Sequence, residues 1–281
     1  MSYLPNITFF LILFLSLGYF ISNFIKLRRN INLGIDLDID LSVNRKQRWA
    51  NMAKIALGQS KMVRRPIVGA LHVIVYVGFI IINIELLEIV IDGLIGTHRV
   101  FSGMGVFYGF LIASFEILAV LVLIAVSVFW IRRNIIKVKR FFENSMKGWP
   151  KLDADLILYF EIILMSLFLL MNTTDVAFQN MNNGNIVSGY IYPLFENYSV
   201  EALHMMERTF WWMHIIGVLL FLNYLYFSKH LHILLAFPNT FYASLENKGM
   251  MGNLKSVTKE VNLMLNDSST DQEENFEENS N

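Results

Sequence analysis

Five long apolar stretches divide the chain, each near the ~20 residues a helix needs to cross the hydrocarbon core of a bilayer. They run from about Ile7 to Ile25, Pro66 to Ile91, Val106 to Trp130, Leu156 to Met171 and Phe210 to Leu235, with Pro238 closing the last. The first is followed by Lys26, Arg28 and Arg29, the reverse of the order in a cleaved signal peptide. The polar stretch between the first two spans holds a short predicted helix over Asn44–Leu57. From Asn266 the chain reads NDSSTDQEENFEENSN, acidic and nearly free of apolar residues, which predicts a disordered tail over 266–281. No solenoid or inverted repeat is visible, which argues against a secondary carrier. The pattern predicts an all-α fold, an integral membrane bundle of five transmembrane helices over residues 1–238.

Basic residues orient the bundle. Residues 26–65 hold ten Lys and Arg, residues 131–153 seven, and the chain from Lys229 onward four; the opposite loops hold only Arg99 and Arg208. This bias predicts the N-terminus outside and the C-terminus in the cytoplasm. Composition narrows the chemistry. The 281 residues are 55% hydrophobic and 16% charged, with a net charge of zero, and show no nucleic-acid footprint. With no Cys, the sequence holds no disulfide, no thiolate-bound cluster and no covalently attached haem, so a metal here needs His, carboxylate or Met.

Histidines in apolar helices are expensive and face the protein interior. His214 and His232 are eighteen residues apart in the fifth stretch. On one continuous helix that is five turns, placing both on one face about 27 Å apart. Such a stripe suits one axial ligand to each of two stacked haems. His72, near the basic end of the second span, matches His232 in depth, and Gly69 would leave room for a ring. His230 would fall off the stripe. For His214, with Gly217 one turn on, the mate is open: His98 in the loop GLIGTHRVFSG, His204, or no second haem at all. Interhelical hydrogen bonding is the bland alternative for each. Glu85, Glu88, Glu116 and Glu161 also lie in apolar surroundings. They either hydrogen-bond across the bundle or carry protons to or from a quinone, with Glu85, Glu88 and Asp92 forming a short acidic path outward. Trp130, Trp211 and Trp212 are expected at the membrane interface.

On His72, the spacing of His214 and His232, and the run SKHLHILLAFPN, the chain resembles the respiratory nitrate reductase gamma-subunit family and its heterodisulfide-reductase relatives. These are five-helix di-haem b proteins that exchange electrons with quinone. In that family, counterparts of His72 and His232 share one haem, and the counterpart of His214 pairs with a histidine at the position occupied here by Ile82. The stretches RWANMAKIALGQSKMVRRPIVGALH, GTHRVFSG, FENSMKGWPKLDADLILYFE and FSKHLHILLAFPNTFYASL are closer still to the membrane half of Bacteroidetes iron–sulfur oxidoreductases. There a cytoplasmic Cys-rich domain follows. Here LKSVTKEVNLMLNDSSTDQEENFEENSN carries no Cys, so the expected cluster domain is a separate subunit or has been lost.

The resemblance implies a multi-pass protein of the bacterial cytoplasmic (inner) membrane, a cytochrome b subunit with one or two haem b groups. It would pass electrons between menaquinone and a cytoplasmic ferredoxin-like or heterodisulfide-reductase-like iron–sulfur protein. That partner would dock on residues 44–65 and 239–265. His72, His232, His214 and, as the outer mate, His98 are the expected haem ligands. Glu85, Glu88, Glu116 and Glu161 are the candidate proton and quinone residues. The rival readings are a cofactor-free anchor or assembly protein and a proton-coupled transporter.

Overall fold

A computed structural model describes residues 3–34, 44–181, 183–245, 249 and 254–265. The chain divides into two units, residues 1–241 and residues 242–281. Among the described residues all regular structure is helical: α1 (Leu4–Ile31), α2 (Arg45–Met52), α3 (Pro66–Ile95), α4 (Val106–Asn134), α5 (Trp149–Thr174), α6 (Val176–Met181), α7 (Ser188–Ile191), α8 (Val200–Leu225) and α9 (His232–Phe241). Helices α1, α3, α4, α5 and α8 are long and apolar enough to cross a membrane, as the hydrophobic pattern predicts. In the second unit the described helix covers residues 255–265, where the Thr258 hydroxyl donates to the Leu254 carbonyl. The tail over 266–281, expected to be disordered, lies outside the described residues.

Turn chemistry fixes the helix ends. Helix α3 opens on Pro66 and stops at Gly96, whose φ of 81° only glycine adopts readily. Ser199 caps α8, its hydroxyl accepting the Ala202 N–H at 3.2 Å. Helix α4 packs between α3 and α5, α5 packs against α8, and α1 lies against α3 and α8. Of α1 only Phe9 and Asn23 are buried, while Leu11, Phe14, Leu15 and Ile21 face outward, as they do when the solvent is lipid.

Phe9 anchors α1. Its ring sits 5.4 Å from Trp211 and 6.3 Å from Trp212. Trp211 is 8% exposed and packs in the core. Gly93 leaves the space Phe9 fills, since a Cβ there would lie 2.6 Å from the ring. Gly93→Ala is therefore expected to lift α1 off α3 and to lower stability by about 1–3 kcal/mol. A thermal melt in detergent checks it.

The fifth span departs from expectation. It is not one helix from Phe210 to Leu235: α8 ends at Leu225, a 3-10 turn covers Lys229–Leu231, and α9 begins at His232. The cause is Asp153 of α5, only 2% exposed. Its two oxygens accept the Tyr224 hydroxyl at 2.6 Å and the Lys229 N–H at 3.0 Å, giving Lys229 an acceptor outside the helix. Ser228 adds a side-chain cap, accepting the His230 N–H at 3.1 Å. Pro238 likewise does not close the span but sits inside α9. Helix α9 docks on α2, whose Asn51 amide donates to the Thr240 carbonyl at 2.7 Å and whose Trp49 ring lies 5.1 Å from Phe241. The short helix expected over Asn44–Leu57 is present, as α2 and a π turn over Ala53–Leu57.

Candidate functional site

Breaking the fifth span gathers histidines rather than spreading them along a stripe. His230 turns back toward the bundle, its ring 5.7 Å from Phe221 and 5.7 Å from His232, with Nε2 3.5 Å from Glu161. His72, half-buried on α3, lies within electrostatic reach of His232, Glu161 and His230. His230, His232 and Glu161 thus meet at one end of the bundle, with His72 in their electrostatic surroundings. His230, set aside on helical geometry, is part of this group. His232 donates its Nδ1–H to the Lys229 carbonyl at 2.7 Å. That bond fixes the tautomer and leaves Nε2 with its lone pair free.

His214 repeats the arrangement deeper in the bundle. It is 4% exposed, and its Nδ1–H donates to the Leu164 carbonyl of α5 at 3.0 Å. A cavity of about 110 Å³ opens beside it, lined by Ile82, Asn83 and Glu85 of α3, by Glu161 and Leu164 of α5, and by Val218 and Phe221 of α8. Ile82, the position where the resembled family carries the partner histidine, faces this cavity. Neither glycine leaves room for a ring, contrary to expectation. A Cβ on Gly69 would lie 2.5 Å from the Met62 carbonyl, and one on Gly217 2.8 Å from Leu164 Cδ2. Both are places of close packing between segments.

At the other end of the bundle the polar residues form a network centred on Arg99, which is 6% exposed. Its Nε donates to Asp175 Oδ2 at 2.8 Å, Nη1 to the Tyr108 hydroxyl at 3.2 Å and Nη2 to Asn172 Oδ1 at 2.8 Å, and the guanidinium lies 4.0 Å from the Phe178 ring centre. Burial alone would push the Asp175 carboxyl up. The His98 hydrogen bond and the Arg99 charge more than reverse this and hold it well below the usual carboxylate range. Burial would likewise lower Arg99, but Asp175 and Tyr108 raise it above its ordinary value.

Two of the four candidate glutamates are fully engaged. Glu88 accepts the Phe101 N–H at 2.9 Å and the Tyr108 hydroxyl at 3.1 Å. Glu116, with no exposed surface, accepts the Asn172 amide at 3.2 Å and the Val187 and Ser188 N–H groups at 2.7 and 3.1 Å. These two hold the bundle together. Glu85 and Glu161 instead face the cavity beside His214, and Glu85 Oε2 is buried without a hydrogen-bond partner.

A larger cavity of about 390 Å³ lies beneath Arg99, walled by Phe9, Trp211 and Trp212 and carrying Glu85, Glu88, Asp92 and Asp175. His98 lines this cavity, its Nε2 3.1 Å from Asp175, and does not line the one beside His214. The structure therefore does not bring the two expected partners to one site; the short segment Gly96–Arg99 ties His98 to Asp175 instead. His204 is exposed and lies 3.8 Å from Glu207. Asp175, Asn172 and Tyr108 carry this network and escaped the sequence reading. The signal for them was Arg99 itself, one of only two basic residues on its side of the bundle and in need of buried acceptors.

Two curated relatives match the chain. It is 28% identical over 206 residues, 72% of its own length and 27% of the relative's, to the probable iron-sulfur-binding oxidoreductase FadF of Bacillus subtilis (strain 168). It is 25% identical over 207 residues, 68% of its length and 27% of the relative's, to the EtfAB:quinone oxidoreductase of Syntrophomonas wolfei subsp. wolfei (strain DSM 2245B / Goettingen). The chain spans about a quarter of the length of these relatives. No family model and no solved structure matches it. The matches relate the chain broadly to oxidoreductases and do not single out the nitrate-reductase gamma family.

Proposed function

We propose that the chain is a membrane electron-transfer subunit that exchanges electrons between a quinone, menaquinone in the bacterial cytoplasmic membrane, and an iron–sulfur protein. In this reading the basic end, with α2 and α9, faces the cytoplasm and meets the iron–sulfur partner, and the Arg99 end lies outside. The printed names of the two relatives, one iron–sulfur-binding and one quinone-linked, support the pairing of partners. The whole-protein activity of those relatives is not carried over.

The observation that carries the reading is the tautomer of His232. A backbone carbonyl holds Nδ1–H, so Nε2 keeps its lone pair for a metal, with His72 within electrostatic reach. At this end His72 and His232 are the residues that would hold a b-type haem. When bound, such a haem carries one electron at a time through the low-dielectric bundle. Lys229, Arg64 and Arg65 would meet its propionates. His230 and Glu161, 3.5 Å apart, set the local charge around the pair.

The residues around His214 do not fit a second haem. His98 is elsewhere, Ile82 occupies the facing position, and a cavity of 110 Å³ is far below the ~300 Å³ of ordinary ligand sites. One haem is therefore expected. The 390 Å³ cavity at the Arg99 end is within that range, and its aromatic wall and carboxylates suit a quinone ring and its protons.

A dithionite-reduced-minus-oxidised spectrum with a haem-to-protein ratio tests the reading. The expected result is a b-type α-band at one haem per chain, abolished by His72→Ala and by His232→Ala and retained in His98→Ala. A wild-type protein without the α-band makes the chain a cofactor-free anchor instead.

A further inference from the structure

A second cavity, of about 610 Å³ and lined in part by the exposed Val200 and His204, adjoins the 390 Å³ cavity at the Arg99 end. Gly96, Thr97, His98, Asp175, Glu207 and Arg208 line both and form a partition between them. His98 is the one imidazole in that partition, and its side chain is 43% exposed. Glu85, 2% exposed, lines the 390 Å³ cavity and has Oε2 without a hydrogen-bond partner. A buried carboxyl oxygen left unpartnered in an apolar helix is costly, which marks this cavity as one that a polar ligand fills.

The turn that carries His98 is tightly held. Asp92 of α3 accepts the Thr97 hydroxyl at 2.5 Å and the Arg99 and Val100 N–H groups at 2.7 and 3.1 Å. Arg99 takes a φ of 52°, uncommon outside glycine, and such strain persists only where the surroundings over-determine it. Asp175 accepts Arg99 Nε on one oxygen at 2.8 Å and the Phe178 N–H on the other at 3.0 Å, contacts that favour its charged form. An ionised carboxylate can only accept, so the 3.1 Å contact makes His98 Nε2 the donor. In the neutral ring the lone pair is then on Nδ1.

We propose that His98 is the catalytic proton-transfer residue for a quinone bound in the 390 Å³ cavity, exchanging protons between that quinone and water in the adjoining cavity. The role rests on the electron-transfer reading. Oxidation of a quinol breaks two O–H bonds and releases two electrons. His98 Nδ1 takes up one proton at a time and yields it to water, while the electrons leave singly to a one-electron acceptor, the haem of that reading. Reduction of the quinone runs the same steps backward. The other charged groups around the ring are otherwise occupied. Asp92 and Asp175 are hydrogen-bonded as described, Glu207 is paired with Arg208, and His204 lines only the outer cavity. Arg99 and Arg208 do not give up their protons.

Two measurements test the role. Diethylpyrocarbonate labelling of the purified protein, read by peptide mass, is expected to be slowed by menadione at His98 and unchanged at His204. An unprotected His98, or equal protection of both, overturns the proposal. Reduction of the haem by menadiol, followed at the α-band, is expected to fall at least about 100-fold in His98→Ala and in His98→Gln, with the dithionite-reduced spectrum kept. Glutamine can still donate to Asp175 but cannot take up a proton, so it separates the proton step from the support of the turn. Added imidazole, at concentrations that leave the α-band unchanged, should restore part of the rate in His98→Ala. A loss that imidazole does not touch makes His98 structural and overturns the role. Folded variants reduced at the wild-type rate overturn the role and spare the electron-transfer reading. A wild-type protein without haem, or with haem that menadiol does not reduce, removes that reading and the role with it.

Discussion

Arg99→Met is expected to lower the stability of the bundle by about 3–5 kcal/mol, the usual consequence of stranding one partner of a buried, hydrogen-bonded ion pair. The guanidinium contacts three groups that have few alternatives: the Asp175 carboxylate, Asn172 Oδ1 and the Tyr108 hydroxyl. Asn172 and Tyr108 in turn hold Glu116 and Glu88, so the loss spreads to α3, α4 and α5. Lysine should not rescue, because one ammonium cannot reproduce the planar fork or its stacking on Phe178. The double variant Arg99→Met with Asp175→Asn should recover part of the loss, since no unpaired charge is left buried. Unfolding in detergent reads all four proteins. An Arg99→Met variant within 1 kcal/mol of wild type would show that the network is ornamental.

The same pair sets a pH dependence whose sign follows from Asp175. Its carboxyl lies below the usual range in the folded protein. The stabilisation it gives is therefore complete above its unfolded value of about 3.9 and is lost as pH falls through that value toward the folded one. The gap between wild type and Asp175→Asn should close as pH falls below about 4.

The helices were legible because lipid imposes a length and a polarity on every span, and five such stretches leave little choice of fold. Residues whose chemistry is local were legible too. His72, His214 and His232 stand out in apolar runs, and Ile82 lines the cavity beside His214. What failed was anything decided by a second chain segment. Periodicity carried α8 straight on through Ser228, because the Asp153 carboxylate that stops it is seventy-six positions away. Helical geometry then put His230 off the stripe, whereas the turn it belongs to brings it to Glu161. Gly69 and Gly217 looked like space for a ring, but the atoms that fill that space come from Met62 and Leu164. His98 was the candidate mate of His214, yet Asp175 holds it.

Asp153→Ala should therefore do two things at once. It removes the acceptor of both the Tyr224 hydroxyl and the Lys229 N–H, and two orphaned donors at a nearly buried site cost about 2–5 kcal/mol together. With Lys229 N–H released, the chain after Leu225 is free to continue as helix, since Tyr226 and Phe227 carry no breaker and Ser228 alone is a weak stop. Continuing the helix swings His230 away from Glu161 and separates His232 from the Lys229 carbonyl that fixes its tautomer. A purely structural role predicts only a lower melting temperature. A positioning role predicts a changed or missing b-type α-band in protein that is still folded, at temperatures well below its melt. Asp153→Asn keeps one carbonyl acceptor and should restore most of the spectrum while remaining less stable than wild type. An Asp153→Ala protein with an unaltered α-band would mean that the break in the fifth span does not place His232, and that His72 and the α2–α9 contact alone set the site.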